Sequence, residues 1–201
     1  MLPAYDAIDA AIRAIMRIVR ILSVEQELVA RFLAVLGSGL VVAGHSKAAR
    51  PGFFIFASNF IREYLEPEYF RKEEVLLKAL EDSGFPGDEG PVGGMRREYE
   101  KSREISKILF EAAKAWQAGD EGGRAEVIWA TSEYTALMRV HFERLRNLIH
   151  PLLEQTITPE GEQKIAEDLN LIAFADRETA SPDKYSKIVD MLEEEVSDWQ
   201  K

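Results

Sequence analysis

Apolar side chains return every three or four positions along nearly the whole of this chain, and no alternating run is long enough to make a strand. That pattern restricts the fold to helices packed on helices. A first helix is expected from about Pro3 to Leu22, where Tyr5, Ile8, Ile12, Ile15, Val19 and Leu22 form one stripe and the aspartates precede the arginines, as the helix dipole favours. Ser23 caps a second helix, with Gln26 at the capping-box position, and Gly37-Ser38-Gly39 should end it. Leu40 to Gly52 reads as a loop holding His45. A third helix is expected from Phe53 to Asp82, bent at Pro67. After the breaker-rich turn from Ser83 to Pro91, a fourth runs from Val92 to Ala118 and a fifth from Arg124 to Gln155, bent near Pro151. Thr158-Pro159 and Ser181-Pro182 open two more in the pattern of an N-cap followed by proline.

Long helices joined by short glycine-rich turns predict an all-α, up-down bundle with shorter helices packed outside it. The 201 residues suit one domain, comprising an extra N-terminal helix (1–22), a bundle (23–155) and C-terminal helices (156–201). Trp116, Trp129 and Trp199 are expected to pack at helix ends, and Glu193-Glu194-Glu195 to form a solvated face.

A formal charge of −10 argues against a nucleic-acid partner, which needs a concentrated basic face. The absence of cysteine removes disulfides, thiolate metal sites and cysteine nucleophiles together. No apolar run reads as a membrane span, and aspartates in the first helix do not suit a signal peptide, so a cytoplasmic location is expected. The apolar stripe of the first helix suits packing on the bundle, or a homodimer formed through it as the second choice.

Chemistry must come from few residues. There are three histidines, and Val42, Met138 and Asn147 stand where a Glu-x-x-His signature would need glutamate. No His-x-x-x-His pair occurs, and His150 with Glu154 is interrupted by Pro151. Phosphate-binding loops, dinucleotide fingerprints and nucleophile elbows are absent from the sequence. From the residues alone, the reading stops at a helical bundle without assigned chemistry.

One long stretch carries more. It comprises Phe60 to Glu66, then Tyr69-Phe70-Arg71-Lys72-Glu73-Glu74-Val75-Leu76-Leu77, then Gly84-Phe85-Pro86 and Gly90-Pro91-Val92-Gly93-Gly94-Met95, and finally Glu98-Tyr99-Glu100 with Arg103. This resembles the hemerythrin-like, cation-binding HHE family. The likeness continues at Leu137-Met138-Arg139-Val140-His141-Phe142 and reaches back to Glu25-Gln26-Glu27, covering about Glu25 to Glu154. The resemblance implies a hemerythrin-like up-down four-helix bundle with histidines and carboxylates on its inner faces.

This chain departs from that ligand set. The histidine of the first helix falls on Gln26, that of the second on Tyr69 and that of the third on Tyr99. Glu73 and His141 stand in register with the family's pattern, while the carboxylate expected four residues after His141 is Leu145. A carboxylate-bridged pair of irons needs more imidazoles and carboxylates than remain. Two readings stay open. Tyr69, Tyr99, Glu73 and His141, with Gln26 or a neighbouring glutamate, suit one hard metal ion such as non-haem iron, with oxygen- or peroxide-related chemistry. In the other, the tyrosines refill a lost metal cavity and satisfy Glu73 and His141, leaving a metal-free binding, regulatory or structural module whose small-molecule ligand is unknown. His45 and His150 are expected to be structural or exposed.

Overall fold

The computed structural model describes residues 25–179 and 182–199, and every described element is helical. The expected helix from Pro3 to Leu22, its packing or dimer role and the Ser23 cap lie outside the described residues. The described part of helix α1 is Glu25–His45, which overruns the stop expected at Gly37-Ser38-Gly39 and the first residues of the expected loop, leaving 46–50 non-helical. Gly39 is there for packing: a Cβ on it would sit 2.4 Å from the Phe53 ring. The Ser38 hydroxyl is absorbed by the helix itself, donating to the Ala34 carbonyl at 3.1 Å. His45 is therefore the last residue of α1, with its Nδ1 3.0 Å from the Val41 carbonyl oxygen.

A second rod is built from α2 (Pro51–Phe60), a π-helical segment (Ile61–Tyr69) and α3 (Phe70–Asp82). Pro67 lies inside the π segment, and the Phe70 amide reaches back five residues to the Leu65 carbonyl. Proline lacks the amide that an α-helix needs, and its ring crowds the carbonyl four residues earlier. The wider i→i+5 turn accommodates both. The same device recurs in the rod made of α5 (Glu121–Arg144), a π segment (Leu145–Ile149) and α6 (His150–Thr156). There it stands just ahead of Pro151, with the His150 amide bonded to the Leu145 carbonyl. The two expected bends are thus register shifts, each leading into a residue discussed below.

Helix α4 (Gly90–Gln117) pairs with α5 across a tight turn where Gly119 has φ of +97°. Gly123 allows the two rods to close, since a Cβ there would fall 2.6 Å from the Trp116 amide nitrogen and 2.7 Å from the Ala112 carbonyl. Backbone cannot yield as a flexible side chain does. Gly123→Ala is therefore expected to destabilise the protein by about 1–3 kcal/mol, read as a lower urea midpoint at unchanged slope; an unaltered midpoint would refute this close approach.

Phe32 of α1 stacks on Phe60 of α2 at 4.3 Å between centroids, both fully buried. Arg124 at the start of α5 donates to the carbonyls of Ala43 and Ser46 at 2.8 Å, so α1 and α5 run antiparallel. Helix α7 (Pro159–Thr179) begins with Thr158 accepting from the Gly161 amide at 3.2 Å, the expected cap. It lies along α3, with Lys164 paired to Asp82 at 2.9 Å. Helix α8 (Pro182–Trp199) lies along α2. Trp199 packs 5.0 Å from Phe53, and Arg31 holds Asp190 and Glu193 at 2.7 Å. Glu193 is thus an anchor to α1 rather than part of a free face. Trp116 packs against Phe54 at a helix end as expected, but Trp129 stands half-exposed in the middle of α5.

By length and composition, α1 is apolar enough to cross a membrane, with 21 residues and a mean hydropathy of 1.7 over its best window. The expectation of no such run is corrected at this helix. Ala30, Ala34 and Val41 on its outer side raise its hydropathy, while Val29, Phe32, Val35, Leu36, Val42 and Ala43 are buried on its inner side.

Candidate functional site

The register of the rods brings a small set of polar side chains to one place in an otherwise apolar core. Tyr69 is the last residue of the first π segment, and Glu73 follows one turn later in α3. Glu98 and Tyr99 come from α4, His141 from α5 and Gln26 from α1. Tyr69 and Glu73 are fully buried, with Tyr99 and His141 nearly so. The five residues singled out in the sequence are brought together, although not on equal terms.

Glu73 Oε2 is the hub. It accepts from the Tyr99 hydroxyl at 3.0 Å and lies 2.9 Å from His141 Nε2. The other imidazole nitrogen, Nδ1, is 3.0 Å from Glu98 Oε2, and Arg144 Nε donates to Glu98 Oε1 at 2.8 Å. A chain of alternating charge thus runs from the core outward, from Glu73 through His141 and Glu98 to Arg144. Phe70 stacks on Tyr99 at 4.6 Å and lies 5.6 Å from the His141 ring, and Phe142 flanks His141 at 5.4 Å, which keeps the surroundings apolar.

Protonation follows from this geometry. Burial alone would lower His141, but the Glu73 carboxylate, with Glu98 behind it, outweighs burial and pushes the imidazole up to about 9. Burial also opposes charge on Glu98, yet hydrogen bonds from His141 and Arg144 hold its carboxyl below the usual range. Both phenols are pushed well above their ordinary value, first by burial and then by the charge of Glu73. The metal-free site therefore holds a cationic imidazole between carboxylates, with two protonated phenols beside it.

Three atoms here are buried and complete no hydrogen bond: Glu73 Oε1, the Tyr69 hydroxyl and His150 Nε2. Tyr69 feels both Glu73 and Gln26 without reaching bonding geometry with either. Unpaired buried polar atoms are uncommon and ask for an explanation. His150 was expected to be structural or exposed. It is instead half-buried at the end of the second π segment, close enough for the Glu73 charge to act on it, and burial lowers its own protonation. Nine residues at about 100° each would put it opposite His141 on an α-helix, and the extra residue of the π turn returns it by about one residue's rotation.

Sequence reasoning missed Glu98 and Arg144. Nothing in the spacing pairs Arg144 with a residue 46 positions away. The signal was present only as opposite charges on two adjacent helices. Glu25, a neighbour of Gln26, is paired through Oε1 with the buried Lys72 at 2.7 Å and keeps a buried, unpartnered Oε2 whose charge reaches Tyr69, while Glu27 is exposed.

The donors can be tested against a metal. Among the described residues, no three of His, Cys, Asp and Glu converge on one point. The reason lies in His141, whose two nitrogens face opposite ways, so Glu73 and Glu98 cannot share an ion with it. A set drawn from one face is different: His141 Nε2, Glu73 and the hydroxyls of Tyr69 and Tyr99 are one nitrogen and several hard oxygens, and two of those oxygens lack partners. Glu98 on Nδ1 is the outer carboxylate that typically orients a metal-binding imidazole. By donor type alone, such a set is nearer to the needs of one hard ion than to those of a carboxylate-bridged pair. No protein-family model, curated protein or solved structure matches this chain.

Proposed function

We propose that this chain is a hemerythrin-like up-down four-helix bundle that holds one non-haem iron ion through Glu73, His141, Tyr69 and Tyr99, with Gln26 beside them. The observation that carries this reading is the orphaned pair of oxygens, Glu73 Oε1 and the Tyr69 hydroxyl, buried next to an imidazole whose far nitrogen is already fixed by a carboxylate. A cation among them would satisfy these atoms and replace the His141–Glu73 contact. Iron bound by phenolate and carboxylate oxygens would supply one-electron redox chemistry toward oxygen or peroxide. Because both phenols and His141 are protonated without metal, uptake of the ion must release protons, and affinity should rise with pH. Glu98 would keep His141 oriented throughout, and the ring of Phe70, Tyr99 and Phe142 would exclude bulk water.

The experiment is anaerobic reconstitution with ferrous iron, exposure to air, and elemental analysis alongside visible absorption. Near-stoichiometric iron with a tyrosinate-to-iron charge-transfer band is expected. Tyr69→Phe should weaken or shift that band without loss of fold, since its hydroxyl has no partner to lose. A colourless protein without bound metal would sink the iron reading. It would leave the second one, a metal-free binding or regulatory module, which the direct His141–Glu73–Tyr99 contacts favour because they pair those groups with no ion.

A further inference from the structure

Beside this site, between α1 and the α5–α6 rod, lies a cavity of about 650 Å³. That is within the range of small-molecule chambers. One wall is apolar, made of Ala30, Leu33 and Ala34 on α1, with Phe142 and Leu145 facing them. Arg139, Arg146 and His150 line the other side, and Gln26 and Glu27 complete the rim. Arg139 and Arg146 are seven residues apart, two turns along one rod, and His150 follows one turn later across the π segment.

The cations on this wall are uncommitted. Arg31, Arg96 and Arg144 are each bound to carboxylates. Arg139 and Arg146 lie exposed at the mouth of the cavity and make no ion pair or hydrogen bond among the described residues. His150 Nε2, on the same wall, is buried and equally without a partner. Two guanidiniums without a carboxylate partner among the described residues thus stand beside an unpaired imidazole and an apolar wall. Glu27 on the rim offsets one of the two charges, so the excess is suited to a single negative charge rather than a dianion.

We propose that this chamber binds a medium-chain monocarboxylate, its head held by Arg139 and Arg146 with His150 beside them, and its chain laid on Ala30, Leu33, Ala34 and Leu145. Arginine recognises a carboxylate by two parallel hydrogen bonds, which accounts for the head. Burial of the chain on the α1 wall predicts about a fourfold gain in affinity for each added methylene until the chamber is full. The proposal goes beyond the iron reading and does not depend on it, because the chamber and its arginines are present without metal.

The test is titration calorimetry on the full-length, metal-free protein with hexanoate, octanoate and decanoate, with decanol and inorganic phosphate as controls. Saturable one-to-one binding of decanoate is expected, with affinity rising along the series and decanol at least about tenfold weaker. Arg139→Gln combined with Arg146→Gln should weaken decanoate by about tenfold or more at unchanged melting temperature, and Leu33→Trp should block it by filling the chamber. No decanoate binding, decanol binding as well as decanoate, displacement of decanoate by phosphate, or wild-type affinity in the double variant would each overturn the proposal. Decanoate binding in a protein that never takes up iron would remove the metal reading and leave this one standing.

Discussion

Replacing His141 by leucine should lower the stability of the metal-free protein by about 3–5 kcal/mol, the usual loss when one partner of a buried ion pair is removed. The substitution keeps roughly the same volume, so the loss is electrostatic rather than a cavity effect. It leaves Glu73 in an apolar core with only the Tyr99 hydroxyl to satisfy it, and strips Glu98 of one of its two partners. Glu73→Leu should cost less, about 1–2 kcal/mol, because His141 keeps Glu98 and the charge left behind is still paired. The double replacement of Glu73 and His141 by leucine should recover part of the loss seen with His141→Leu, since no uncompensated charge remains in the core. Urea unfolding of the four proteins closes the cycle. Simple additivity, or a His141→Leu cost below about 1 kcal/mol, would show that Glu73 and His141 are not a buried charged pair.

The second large effect is on pH dependence. His141 has its folded value raised from an ordinary 6.5 to about 9. A raised value means that the stabilisation is complete below about pH 6.5 and is lost as pH rises through about 9. The groups facing the imidazole are Glu73 and Tyr69 from the second rod and Glu98 and Tyr99 from α4, with Arg144 one turn further along α5. Both phenols titrate well above this window, so they do not offset the loss. Glu98 acts at the other end: its value is depressed, so its contribution is present above about 4.5 and disappears as pH falls through the lowered value. Stability of the metal-free protein should therefore be greatest in mildly acidic to neutral solution and fall by on the order of 3 kcal/mol toward pH 9. Thermal unfolding across this range would show the fall in the wild type and its absence in His141→Leu. An equal alkaline slope in both proteins would assign the titration to other groups.

Both effects rest on residues whose roles were only partly readable in advance. The period of the apolar residues was enough for an all-α chain, because burying one stripe per helix is a local requirement that each segment displays by itself. Proline and glycine placed most helix ends for the same reason. They misled at Gly37-Ser38-Gly39, where a glycine that looked like a stop is a contact point for Phe53, a residue separated from it by a whole turn of chain. Glu73, His141, Tyr69, Tyr99 and Gln26 stand out only through the resemblance to the hemerythrin-like family, since their own spacing assigns no chemistry. What that resemblance could not contain is which atoms meet. That His141 would be held from both sides, that Glu98 and Arg144 would complete the chain of charge, and that two π turns would re-aim Tyr69 and His150 are outcomes of rod against rod. Periodicity is a property of single helices and is written in the sequence. Pairing across helices depends on the register between them, which only the packed core decides.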